Sequence, residues 1–534
     1  MKTDCDYIIV GGGSSACVAA WRLVKEKKAR VLMLERGPAR APGLSRLLLP
    51  MPAAWMKGIT GSEIVELHEP VPQKHLNGRR PKVGQANILG GGSSVNAMVY
   101  TRGQAEDYDN WDRFLASKGK WTYGEMLKHF RAMECNHSFN NEYHGVDGPL
   151  HVSDTGTKCQ MTEDYVRAVQ ALGVPYSPDF NGKTQAGVGT MQYTTFNKRR
   201  WNGIDAFLAP IMNDPRFTVE CDAQVNALTF SGQRCTGVTY TRNSQTISAP
   251  CNEAVLLAAG CYNTPKLLML SGIGPEAQLK PHGLKTIVNL SGVGENLQDH
   301  HEVPVVSATN GHFGYDGEDK GLRALKNGLQ YLMFKSGPVT SGGVEACAYV
   351  DPDGGKRPTI KMYCVPSVYL DADVQGAKPK DGVTLNACLL RPASRGTVRL
   401  RSSNPLDKPV IDNNYLAEPE DLRLEIAGLR FAREILKQKP LSERISFEVF
   451  PGKDVISTKD LGEHCRRTVK TNWHPVGTCR MGKAKDKQAV LDDDLRVRGI
   501  DGLRVIDASA MPFIPSGNTN APVMALASRA VDLL

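Results

Sequence analysis

The chain has 534 residues, 41% apolar and 23% charged, with 52 glycines and no low-complexity run. That is more than one hydrophobic core usually holds, so two or more packed regions are expected. The net charge of +9, from 65 basic against 56 acidic residues, is dispersed apart from Lys198-Arg199-Arg200, which favours a solvated surface and argues against a nucleic-acid partner.

Thirteen cysteines are scattered without a C-x-x-C pair or metal-finger spacing, a pattern that fits reduced thiols in a cytosol. The N-terminus MKTDCDYIIV runs straight into a strand-like segment and lacks the apolar stretch of a signal peptide. No apolar run reaches the roughly 18 residues of a spanning helix. The expectation is a soluble, cytoplasmic protein with no transmembrane segment.

The first elements read as β-α-β: an apolar strand at Tyr7–Val10, a helix over Ser15–Lys27, and a second apolar strand at Val31–Leu34 ending in Glu35. Gly11 permits the sharp turn at the first crossover, Gly13 lets backbone N–H groups approach a pyrophosphate, and Ala16 takes the small-residue position of G-x-G-x-x-A. The helix N-terminus suits phosphate. Glu35, about 20 residues on, is placed to accept from ribose hydroxyls. An adenine dinucleotide follows; this half alone does not separate FAD from NAD.

A second glycine-rich segment, GQANILGGGSSVNAMVYTRG (84–103), offers several N–H groups to an anion and the Asn96 amide to a ring edge. A third, AAGCYNTPKLLMLSGIGP (258–275), opens an apolar helix at Thr264-Pro265. The closing strand LRVIDASAMP places Asp507 and Ala508 at its carboxyl end, where open α/β sheets bind ligands. In the last helix, Pro522 suits the first turn. Before it stands TNWHPVGTCRMG, in which Pro475 biases His474 away from helical backbone.

These segments, with SGVGENLQDH (291–300), RPASRGTVRLRSSNP (391–405), NWHPVGTCRMG and SGNTNAPVMA, resemble the glucose–methanol–choline (GMC) oxidoreductase family over nearly the whole chain, and its choline dehydrogenase-like branch most closely. The resemblance implies a Rossmann-like α/β flavin-binding domain with a parallel sheet, plus an α+β substrate-binding domain with a mainly antiparallel sheet. The flavin domain is expected over 1–150, 205–305 and 456–534, and the substrate domain over 151–204 and 306–455.

By the same resemblance, Gly11, Gly13, Ser14, Ser15, Glu35 and Arg36 hold the adenosine and pyrophosphate of FAD. Gly91, Asn96, Met98 and Val99 run along the ribityl chain and isoalloxazine, and Val225 pairs its backbone with adenine. Trp473, Asp507, Ala508, Pro522 and Val523 complete the flavin site. Where some relatives attach FAD through a histidine, this chain carries Val95, so a non-covalent flavin is expected. Gly92, Cys261 and RRWNGIDAFL (199–208) depart from the family's usual residues.

The resemblance implies a His/Asn pair before the flavin, read here as His474 and Asn520. An imidazole can take the hydroxyl proton of an alcohol as hydride leaves, and an amide can hold the oxygen. The implied activity is FAD-dependent oxidation of a primary alcohol to an aldehyde, with a quinone, dye or oxygen as electron acceptor. The family also contains hydroxynitrile lyases without net redox chemistry, and that alternative stays open. His300-His301-Glu302 is not read as a metal site, because adjacent strand side chains point to opposite faces; His300 is expected to be structural and no metal is expected. Glu345 resembles a position whose carboxylate faces the active site, where it meets a cationic substrate or is satisfied locally. MPAAWMKGITGSE (51–63) is a candidate lid.

Overall fold

The computed structural model describes residues 5–60, 63–370, 374, 376 and 379–534. The opening residues fold as their pattern dictates. Tyr7–Val10 and Val31–Leu34 are neighbouring parallel strands joined by the helix Ser14–Lys25. They sit in a five-stranded parallel sheet in the order 217–220, 31–34, 7–10, 254–257, 503–505. Val31–Leu34 and Ala254–Leu257 are buried at every position, as continuous apolar runs require when both sheet faces are covered. The helix Asn520–Asp532 packs against Ser14–Lys25 in this core.

The second sheet has seven strands, all antiparallel to their neighbours: 445–450, 301–309, 382–389, 360–365, 346–350 and 187–190 in order, with 470–471 also paired to 301–309. Alternation along the strands divides its faces. Val303, Val305, Ala346, Ala348, Ile360 and Met362 pack under the helix Pro419–Leu436. Cys347, Tyr349, Tyr363 and Val365 point the other way, toward Met98 and Val99 of the flavin-side segment. Lys361 shares that second face with Tyr363, and Glu302 shares it with His300, by the same two-residue period.

The sheet does not respect the expected boundaries. His301–Thr309 runs across residue 305, and Lys470–Thr471, within the expected flavin segment, pairs with His301 and Glu302. This short pairing ties the loop carrying His474 to the antiparallel sheet. Arg200 of the basic cluster turns inward and is 3% exposed; it donates to Leu49 O, Ser93 O, Asn96 O and Asn96 Oδ1. Among the described residues, no helix is long and apolar enough to cross a membrane.

Candidate active site

One cavity of about 400 Å3 opens at the carboxyl ends of the parallel strands and runs to the antiparallel sheet. Gly11, Gly13, Ser14, Ser15, Glu35, Arg36 and Val225 line one end. Gly91, Asn96, Met98, Val99, Asp507, Ala508 and Val523 line its course, and Trp473, His474 and Asn520 also reach it. Pro522 is buried in the first turn of the last helix and does not line the cavity. Trp55 and Met56 of the candidate lid do; residues 61 and 62 lie outside the described residues.

The lining fits a dinucleotide. At Gly91 (φ +51°) a Cβ would stand 2.5 Å from Gly13 Cα, so the two glycine loops meet only because Gly91 carries no side chain. Gly13 caps the helix Ser14–Lys25 without a side-chain bond, and Thr519 does the same for Asn520–Asp532. Two helix N-termini with unspent N–H groups therefore border one cavity, which suits an anionic ligand. Glu35 accepts from Gly12 N at 2.6 Å and Gly37 N at 2.7 Å. Each carboxylate oxygen retains a second lone pair for a ribose hydroxyl. Asn96 Oδ1 accepts from Met98 N and Arg200 Nη1, leaving its amide N–H groups as its donors. Asp507 accepts from Gly260 N and Thr264 Oγ1, fixing the third glycine segment.

At the far end the backbone is shaped around His474. Trp473 has φ +62°, a conformation bulky residues rarely adopt, which marks local strain at this position. Its N–H donates to Thr471 Oγ1 at 2.7 Å, and its ring packs where a Cβ on Gly84 would come within 2.9 Å. His474 N donates to Asp299 Oδ1 at 2.9 Å, while Asp299 Oδ2 accepts from Tyr415 and Thr471. Cys261 Sγ donates to Pro475 O at 2.8 Å, so the thiol in the third segment pins the residue after the imidazole.

The ring of His474 makes two bonds: Nδ1 to His300 Nδ1 at 3.0 Å, and Nε2 to Asn518 Nδ2 at 3.1 Å. Lys361 Nζ donates to Asn518 Oδ1 at 2.8 Å, so the amide must turn its N–H groups toward His474. Nε2 is then the acceptor and Nδ1 carries the proton. His300 in turn accepts at Nδ1 and donates from Nε2 to Leu390 O at 3.0 Å. Burial, the neighbouring His300 and the Lys361 charge hold the His474 pKa well below 6.5; burial chiefly pulls His300 down to about 3. Both rings are neutral, and the one lone pair of His474 Nε2 accepts from Asn518 Nδ2 at the cavity wall.

This geometry corrects two expectations. The asparagine that meets His474 is Asn518, not Asn520. Asn520 Oδ1 instead accepts from Ser14 Oγ at 2.7 Å, at the start of the first helix. The physical reason is position: Asn520 is already the first residue of the last helix, which Asn518 precedes. Glu345 does not line the cavity. It is 0% exposed and saturated by Cys159 N, Thr162 Oγ1, Ser341 Oγ and Tyr315 OH. The carboxylate at the substrate end is Glu302, which accepts from Asn472 Nδ2 at 2.5 Å and from Tyr363 OH.

Sequence reasoning missed Lys361, Asn518, Glu302 and the bond from His300 to the base. The available signal was a lysine inside the apolar strand run TIKMYCV, and strand alternation placing His300 and Glu302 on one face. Away from the cavity, the ligand atoms of Cys135, His137 and His151 come within 4.8 Å of one another, with a 2.9 Å bond between the two imidazoles.

The GMC oxidoreductase family description matches residues 5–302 and again 392–527. The chain belongs to that family. It is 36% identical to alcohol dehydrogenase [acceptor] of Pseudomonas putida over 99% of this chain and 95% of that protein. Identity to mitochondrial choline dehydrogenase of Mus musculus is 35%, over 100% of this chain and 90% of the other. Among solved structures, an Aspergillus oryzae RIB40 formate oxidase studied for modification of its FAD superposes with TM-score 0.90 at 26% identity, covering 100% of this chain and 98% of that one. The parallel-sheet part is accordingly the FAD-binding domain of the GMC fold.

Proposed function

We propose that this oxidoreductase oxidises a primary alcohol to an aldehyde, with FAD as its resident cofactor and a quinone, dye or oxygen as final electron acceptor. The observation that carries the reading is the Asn518–His474–His300 chain, which presents an unprotonated imidazole nitrogen and an amide donor 3.1 Å apart at the cavity wall. An alcohol oxygen needs those two groups: an acceptor for its proton and a donor to hold the oxygen. FAD, when bound, supplies the hydride acceptor at flavin N5. His474 Nε2 takes the hydroxyl proton, Asn518 Nδ2 holds the oxygen, and the His300 lone pair keeps the imidazole in the tautomer that accepts on the cavity side. The uncapped start of the helix Asn520–Asp532 offers a positive end to negative charge gained by a reduced flavin. Val95, an apolar buried residue on the cavity wall, offers no nucleophile for a covalent link, which supports a non-covalent flavin.

The test is anaerobic flavin bleaching of the purified holoenzyme by a panel of primary alcohols, repeated with His474→Ala. Bleaching by one alcohol class, slowed by about 10² to 10⁴ in the variant, is expected. An unchanged rate in the variant sinks the assignment of the base. Cyanohydrin cleavage without bleaching would instead identify a lyase.

A further inference from the structure

The substrate end of the cavity carries a buried ion pair next to an aromatic ring. Among the lining residues the acids are Glu35, Glu302 and Asp507. Glu35 and Asp507 are engaged with the glycine turns, so Glu302 is the lining carboxylate that stands at the substrate end. Lys470 stands directly across from it on the paired strand; it does not line the cavity itself and acts there through the lining residues Glu302 and Tyr369. Its Nζ lies 3.6 Å from Glu302 Oε1 and 3.5 Å from the ring centroid of Tyr369, itself a lining residue. Both side chains of the ion pair are almost wholly buried, 3% exposed for Lys470 and 2% for Glu302.

A carboxylate beside an aromatic face is what a quaternary ammonium group seeks. Here an ammonium of the chain already holds both partners. A second cation would have to share a carboxylate that also accepts from Asn472 and Tyr363, next to a buried like charge. Lys361, on the other side of His474, adds a second buried ammonium near the reacting position.

We propose that Lys470 is a specificity-determining residue that makes the pocket accept neutral primary alcohols and reject quaternary ammonium alcohols such as choline. The inference rests on the alcohol-oxidation reading above and narrows its substrate class. Discrimination of this kind works by placing an unfavourable contact against the wrong ligand.

The experiment compares choline with its uncharged isostere 3,3-dimethylbutan-1-ol on the FAD-loaded enzyme, by calorimetric binding and by anaerobic flavin reduction. The two differ by one charge at nearly equal volume. The isostere is expected to bind and react at least tenfold better. Lys470→Met and Lys470→Gln, the latter keeping a donor for Glu302 should the former fold poorly, are expected to move the choline-to-isostere ratio at least tenfold toward choline. Lys470→Arg is expected to leave it in place. A ratio compares two ligands on one protein, so loss of folded enzyme cancels. Choline used as well as the isostere by the native enzyme, or choline binding unimproved in both neutral variants, overturns the proposal. If no alcohol reduces the flavin, the oxidation reading fails, and the binding ratio still decides the charge discrimination.

Discussion

Lys361 Nζ lies 2.8 Å from Asn518 Oδ1, and Asn518 Nδ2 lies 3.1 Å from His474 Nε2. One ammonium on the antiparallel sheet therefore orients an amide at the mouth of the last helix, and the amide orients the base. An asparagine has two nearly isosteric ends, and only the lysine decides which end faces the imidazole.

The two asparagines of SGNTN separate by consequence. Asn518→Ala removes the donor that holds the alcohol oxygen, and flavin reduction at saturating alcohol is expected to slow by about 10² to 10³. Asn520→Ala leaves the His474 wall intact and removes the acceptor of Ser14 Oγ, so weaker flavin retention with a much smaller rate loss is expected. Stopped-flow reduction with flavin content measured in parallel checks this. Equal rate losses would contradict the assignment of Asn518.

The pH dependence follows from the direction of the His474 shift. With its pKa held well below 6.5, the base is already unprotonated at neutral pH. The acid limb of kcat/KM should then lie below the pH at which an ordinary imidazole titrates. Lys361 lowers that pKa through its charge, so Lys361→Met should raise it and carry the acid limb to higher pH. The rate plateau should also drop, by about tenfold or more, because Asn518 loses its orienting partner. A limb that stays put while the plateau falls would mean that Lys361 acts on Asn518 alone.

Much of this was legible in the sequence, for physical reasons. The nucleotide end is built from backbone, and backbone needs such as the turn at Gly11 and the contact of Gly13 with Gly91 leave a mark that no other residue type imitates. The Trp473-His474-Pro475 triplet likewise announces a constrained imidazole. The substrate end is built from side chains on strands far apart in the chain, 300–302, 361–369 and 470–474. Their meeting depends on strand order and register, which local pattern does not encode. Asn518 and Asn520 sit two residues apart in similar chemistry; only the start of the helix at Asn520 separates a group on the loop from one on the first turn.

Glu345 shows the same difficulty from the other side. Its carboxylate is satisfied by four donors in the packed layer between 157–162, 315 and 341. Glu345→Ala would strand those donors without solvent, and a loss of about 2–4 kcal/mol of stability is expected. Thermal or denaturant unfolding measures it. The preference among neutral and cationic alcohols should not change, since the side chain does not reach the cavity. A changed preference would return Glu345 to the substrate site.

His300 gives the sharpest test of how the base is held. Its Nδ1 accepts the His474 Nδ1 proton while its Nε2–H donates to Leu390 O, so the ring works as a relay with one donor and one acceptor in fixed places. His300→Leu removes the acceptor, leaves a buried N–H on His474 unpaired and frees the imidazole to change tautomer. The flavin-reduction rate is expected to fall by about 10- to 100-fold. His300→Gln offers an amide oxygen where Nδ1 stood and an N–H for Leu390, so it should recover much of the rate. If leucine and glutamine lose the same amount, His300 supports the fold of the pocket and not the orientation of the base.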